Sequence, residues 1–93
     1  MFKITNHRGF QITFENGWTV SVQFGGGMYC ENIDMEIGSE IETSMLTSRD
    51  AEIAAFGSDG ELLKFRDGDS VKGRVSPKEL LKFMNEISKK ENK

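Results

Sequence analysis

The side chains able to coordinate a metal or attack a substrate are few and widely spaced. His7 and Cys30 are the sole histidine and cysteine of the chain. Neither has a second soft ligand at the short spacing of a structural or catalytic metal site. Asp34 and Glu36 lack the other positions of a calcium loop, and Asp67-Gly68-Asp69 reads first as a turn. No metal and no cofactor is therefore expected. A Cys30 nucleophile would need His7 as its base. That contact is open to the chain but not forced, and a buried thiol with a surface imidazole is the preferred reading. The serines form neither a nucleophile elbow nor a Ser-Lys motif. Paired carboxylates occur only in an acidic stretch with no evident pocket to raise one pKa. No catalytic residue is assigned, and the chain is read as a binder and not an enzyme.

The stretch that invites a ligand is Phe24-Gly25-Gly26-Gly27-Met28-Tyr29-Cys30-Glu31-Asn32. Three successive glycines at a strand end let backbone N–H groups come close to an anion. No Gly-Lys-Ser/Thr follows, so this is not a P-loop, and no helix start follows, so it is not a dinucleotide fingerprint. On spacing alone, a connection without ligand accounts for the glycines better. Arg8 and Tyr29 add a positive charge and a ring on which a base can stack. The candidate ligand-binding set is Arg8, Gly25, Gly26, Gly27, Tyr29 and Asn32. Its expected ligand is a small nucleotide or another phosphate-containing molecule.

Arg8 enters that set through a hairpin. Phe10, Ile12 and Phe14 alternate with polar residues, as do Trp18, Val20, Val22 and Phe24 after Asn16-Gly17. These are the period-2 patterns of strands with one buried face. A two-residue Asn-Gly loop would set Glu15 against Trp18 and Thr13 against Val20, mixing polar and apolar side chains. A three-residue loop, Glu15-Asn16-Gly17, sets Phe14 against Trp18, Ile12 against Val20 and Phe10 against Val22. We adopt the second register, which puts Arg8 across from Phe24 and Trp18 in the core.

Further along, Ala51–Phe56 and Glu61–Phe65 flank Gly57-Ser58-Asp59-Gly60 and suggest a second hairpin with apolar residues on both faces. Val71–Val75 reads as a short strand, and Met1–Thr5 as another. Ser76-Pro77-Lys78-Glu79 fits a capping box, with Val75 and Leu80 placed for a hydrophobic staple. Leu80, Phe83, Met84 and Ile87 then share one helix face over about 77–90, leaving Ser88–Lys93 as a polar tail. Gly38–Asp50 is weakly patterned and reads as a loop or irregular strand. The expected fold is α+β: one domain over 1–93, with an antiparallel sheet of four to six strands covered by a single C-terminal helix.

Composition narrows the setting. Seven Phe and an apolar fraction of 37% in 93 residues support a folded core. A lone Cys excludes an internal disulfide framework and makes cytoplasm the expected compartment. No apolar run reaches the length of a membrane span, and no membrane partner is expected. Net charge is −3, without the clustered basic footprint of a nucleic-acid binder. Residues 31–48 carry Glu31, Asp34, Glu36, Glu40 and Glu42 and no Lys or Arg, a solvated loop or an attractor of a basic partner. Two-sided apolar patterning in a small sheet with open edges points to a homo-oligomer.

The runs Gly9-Phe10-Gln11-Ile12-Thr13-Phe14-Glu15-Asn16-Gly17-Trp18-Thr19-Val20-Ser21-Val22-Gln23-Phe24-Gly25 and Tyr29-Cys30-Glu31-Asn32 resemble those of small accessory proteins encoded by tailed bacteriophages. Ala51-Glu52-Ile53-Ala54 and Val75-Ser76-Pro77-Lys78-Glu79-Leu80-Leu81 look similar as well. The resemblance implies a phage protein acting in bacterial cytoplasm, for which counter-defence is a common role. It carries no catalytic motif to transfer. The functions it suggests are sequestration of a nucleotide signal, inhibition of a host defence protein by an acidic surface that mimics nucleic acid, or a part in phage assembly.

Overall fold

Among the described residues, the alternation of apolar and polar residues produces five strands, and the capped amphipathic segment produces one helix. A computed structural model describes residues 1–5, 8–24 and 47–91. The elements are β1 (Phe2–Ile4), β2 (Gly9–Thr13), β3 (Thr19–Gln23), β4 (Ala51–Phe56), β5 (Lys72–Val75) and α1 (Pro77–Ser88). The strands form one sheet in the order β1-β2-β3-β4-β5, each antiparallel to its neighbour. This is the expected α+β architecture, an antiparallel sheet with one C-terminal helix.

Register follows from keeping the large apolar side chains together. Phe10 faces Val22 and Ile12 faces Val20 across β2–β3. The connecting loop is the three-residue one: the Phe14 N–H donates to the Trp18 carbonyl at 2.9 Å, and Gly17 takes φ 86°. Val20 and Val22 lie opposite Ala55 and Ile53 of β4. These four residues, with Trp18, Ala51, Val75 and Ile87, form the buried core. Leu80, Phe83 and Met84 of α1 pack against it from one side of the sheet. The other face carries Thr13, Thr19, Ser21 and Gln23. The Thr13 and Thr19 hydroxyls share a hydrogen bond of 2.8 Å, and the Gln23 amide donates to Ser21 Oγ at 3.2 Å and to Thr5 Oγ1 at 2.8 Å. Thr19 and Ser21 are buried, so these bonds offset the loss of water.

Both ends of α1 are fixed. Ser76 Oγ accepts the Glu79 N–H at 3.2 Å while Glu79 Oε1 accepts the Ser76 N–H at 3.4 Å, a complete capping box. At the other end the hairpin turn takes up carbonyls that an α-helix leaves open. Asn16 Nδ2 donates to the carbonyls of Ile87 and Lys90 at 2.8 and 3.0 Å, and Trp18 Nε1 donates to that of Glu91 at 3.1 Å. Lys90 Nζ sits 5.2 Å from the centre of the Trp18 ring. The polar end that sequence left as a tail is thus held through Glu91.

The second hairpin departs from expectation. Its first strand and its turn form as read, with the Gly60 N–H on the Gly57 carbonyl at 2.9 Å and Gly60 at φ 82°. Glu61–Phe65 is not a strand. It pairs with β4 only through the Phe56–Leu62 bridge and a bond from the Leu63 N–H to the Ala55 carbonyl. The reason lies in β4's outer edge, which is shared: β5 pairs with its first half at Ala51 and Ile53. The ladder shifts register there, and Arg74 adopts φ 56°, a left-handed angle that costs a non-glycine residue about 1 kcal/mol or more.

Candidate functional site

Because 62–63 and β5 divide one edge of β4, residues 64–71 must swing away from the sheet and return. One Asp-Gly turn brings the chain from β4 back to 62–63, and a second reverses it within the excursion. Asp59 Oδ1 accepts the Glu61 N–H at 3.0 Å, and Asp67 Oδ1 accepts the Asp69 N–H at 2.9 Å. Gly68 closes the second turn at φ 85°, its N–H on the Phe65 carbonyl. Within this excursion Leu63 and Phe65 turn inward while Lys64 and Arg66 remain exposed. The Phe65 ring meets Phe83 of α1 with centroids 5.5 Å apart, tilted at 34°.

The result is a cleft of about 550 Å³ between the excursion, β4–β5 and α1. Its floor is apolar: Ile53, Leu63, Phe65, Val75 and Phe83. Its rim is charged, with Lys64 and Arg66 from the excursion, Lys72 from β5, and Glu79, Lys82 and Glu86 from α1. The helix contributes Glu79, Lys82, Phe83 and Glu86 because positions three and four apart stack on one side.

Among the described residues, four cations stand against two carboxylates on this rim, in a chain whose net charge is −3. One carboxylate is already committed. The Ser76 backbone N–H, then the Ser76 hydroxyl, hold the Glu79 carboxyl below its ordinary pKa, with Lys72 adding to the effect at 3.8 Å. Among the described residues, Lys64, Arg66 and Lys82 take part in no ion pair. A cleft of this size, lined by apolar and charged side chains together, has room for a small molecule. The rim matches phosphate or carboxylate oxygens, and Phe65 and Phe83 offer faces for an aromatic ring.

Of the residues singled out in the sequence, Arg8 is described. It is half-buried immediately before β2; its N–H donates to the Thr5 carbonyl and its carbonyl accepts the Phe24 N–H, both at 2.8 Å. The expected pairing of Arg8 with Phe24 is therefore present, next to Thr5, Gly9 and Gln23. Gly25, Gly26, Gly27, Tyr29 and Asn32 lie outside the described residues, as do His7, Cys30 and the acidic residues Glu31 to Glu42. Arg8 does not line the cleft. Sequence reading missed the cleft residues because it placed Lys64 in a strand and gave Arg66 and Lys82 no role. The available signal was the Leu63-Lys64-Phe65-Arg66 alternation, one phase apolar and the other cationic.

Among the described residues no group of three or more His, Cys, Asp or Glu could hold a metal ion. None of their helices is long and apolar enough to cross a membrane. Comparison with protein-family models, with curated proteins and with solved structures found no match.

Proposed function

We propose that this chain is a non-enzymatic binding protein for a small anionic ligand with an aromatic part, a nucleotide in the simplest case. The observation that carries the reading is the cleft: Lys64, Arg66, Lys72 and Lys82 stand around a floor built on Phe65 and Phe83. Ligand phosphate would meet Arg66 and the lysines, and the base would lie against the rings. The ligand would be held and released intact. The resemblance of the β2–β3 segment to phage accessory proteins supports a setting in bacterial cytoplasm, where holding a nucleotide signal counters host defence.

Titration calorimetry against nucleoside phosphates, cyclic dinucleotides and cyclic ADP-ribose isomers tests this. Saturable binding to one class is expected, with unaltered ligand recovered from the complex. Charge-assisted bonds contribute about 1.5–3 kcal/mol each, so Arg66→Ala or Lys82→Ala should weaken affinity about tenfold or more. Arg8→Ala separates the two locations: if it alone abolishes binding, the ligand sits at the glycine-run end of the hairpin. No heat with any of these ligands removes the proposal.

A further inference from the structure

The two outer strands of the sheet end it differently. At β5 the ladder is bulged and Arg74 is left-handed, which turns that edge away from further pairing. At β1 it is regular: Phe2 faces Ile12, Lys3 faces Gln11 and Ile4 faces Phe10. Among the described residues nothing pairs with the outer side of β1.

Hydrogen-bond parity shows what that outer side presents. Met1 and Thr13 exchange both backbone bonds, at 2.9 and 2.8 Å, and the Thr5 N–H donates to the Gly9 carbonyl at 3.2 Å. Antiparallel ladders alternate bonded and non-bonded pairs. Met1, Lys3 and Thr5 therefore direct their backbone groups to β2, while Phe2 and Ile4 direct theirs outward. Phe2 and Ile4 are 72% and 79% exposed, although their side chains lie on the core face beside Ile12 and Phe10. The Phe2 ring already contacts Phe10 edge to face at 6.3 Å.

We infer that β1 is a self-association strand, and that its partner is the β1 of a second copy across a two-fold axis at Lys3. The strand is self-complementary about that residue. Phe2 opposes the partner's Ile4, and Ile4 opposes the partner's Phe2. All four outward groups of each strand are then bonded at once, and the two sheets join into one of ten strands. On the core face the two Phe–Ile pairs meet and extend the apolar surface from Phe10 to its counterpart. Met1, 90% exposed, flanks the pair.

Size sets the strength. At these exposures Met1, Phe2 and Ile4 present roughly 400 Å² per copy, so roughly 800 Å² across the pair before backbone is counted. That lies below the ~1,200–2,000 Å² of stable complexes, and the dimer is accordingly a weak, reversible one. The same axis places Lys3 against the partner's Lys3 on the opposite face, in a non-hydrogen-bonded pair where side chains come closest. Like charges so placed repel. Salt should therefore tighten this dimer, whereas it loosens interfaces built on ion pairs.

Sedimentation velocity over a micromolar to submillimolar concentration series, at low and high salt, tests the inference. Wild type is expected to dimerise reversibly and more tightly at high salt. Lys3→Gln, confirmed as folded by circular dichroism, should strengthen the discrete dimer roughly two- to fivefold by removing the repulsion. Phe2→Asp and Ile4→Asp, each confirmed as folded by circular dichroism, should be monomeric. A wild type that stays monomeric throughout overturns the inference. So does association that survives both Asp substitutions, or that loosens with salt and ignores Lys3→Gln.

Discussion

Replacing Gly9 by Ala should cost far more than its small volume suggests. Gly9 lies opposite Gln23 in a non-hydrogen-bonded pair of β2–β3. A Cβ there would sit 2.0 Å from the Val22 carbonyl oxygen, 3.0 Å from its carbon and 3.1 Å from Gln23 Cα. An ordinary carbon–oxygen contact is about 3.3 Å, so the strands must part by roughly 1.3 Å. The obstacle is backbone, and no rotamer change relieves it. Separation endangers the Phe24 N–H to Arg8 bond, the Thr5 N–H to Gly9 bond and the Thr5–Gln23 side-chain pair that spans the gap above Gly9. Losing two to four bonds at about 1 kcal/mol each costs about 2–4 kcal/mol. The stiffer unfolded chain of the Ala variant returns about 0.4–1 kcal/mol. A domain of this size melts about 4–8 °C lower per kcal/mol, so Tm should fall by on the order of 10–20 °C. Thermal denaturation followed by circular dichroism measures it. Gly68→Ala is the control, since its Cβ meets open space and only the angle of φ 85° is penalised, by about 1 kcal/mol. Equal melting shifts for the two variants, or a Gly9→Ala shift within a few degrees of wild type, would refute the steric argument.

Two further outcomes follow from the helix ends. Asn16→Ala removes two donors to α1 carbonyls and the acceptor of the Trp18 N–H at 3.0 Å, and should cost about 1.5–3 kcal/mol in urea denaturation. The last amides of α1 should then exchange hydrogen faster than the same amides do in wild type. Glu79 gives a pH effect of defined sign. Its folded pKa lies below its ordinary 4.5, so its contribution is complete above that value and is lost as pH falls through the folded one. Urea denaturation of Glu79→Gln and wild type should therefore differ at neutral pH and converge on acidification. A difference that persists in acid would mean that Glu79 acts through packing and not through charge.

What sequence made legible is local or symmetric. The β2–β3 register followed from keeping Phe10, Ile12 and Phe14 on one face, and the same test rejected the shorter loop. The capping box at Ser76–Glu79 is a four-residue signal with its own hydrogen-bond logic. The hidden parts depend on competition between distant segments. Glu61–Phe65 has a good strand pattern, but β5 occupies half of the edge it would need, and no local rule reveals which segment prevails. The cleft followed from that displacement and was hidden with it. Asn16 illustrates the same limit: it reads as a turn residue, yet its amide also serves carbonyls 71 and 74 positions away. Arg8 was placed opposite Phe24 by the hairpin alone, whereas five other members of that candidate set lie outside the described residues.

Trp18 is the chain's single tryptophan, and it is 7% exposed with its indole N–H on the Glu91 carbonyl. Its emission is consequently an intrinsic optical gauge of one event, the seating of the helix on the sheet. Unseating would hydrate the indole and shift the spectrum to longer wavelength, with no label and no second fluorophore of its kind to subtract. The same helix forms one wall of the cleft, which places the gauge at the far end of a lever. A ligand that repositions the wall would register there as a colour change at a residue it never touches.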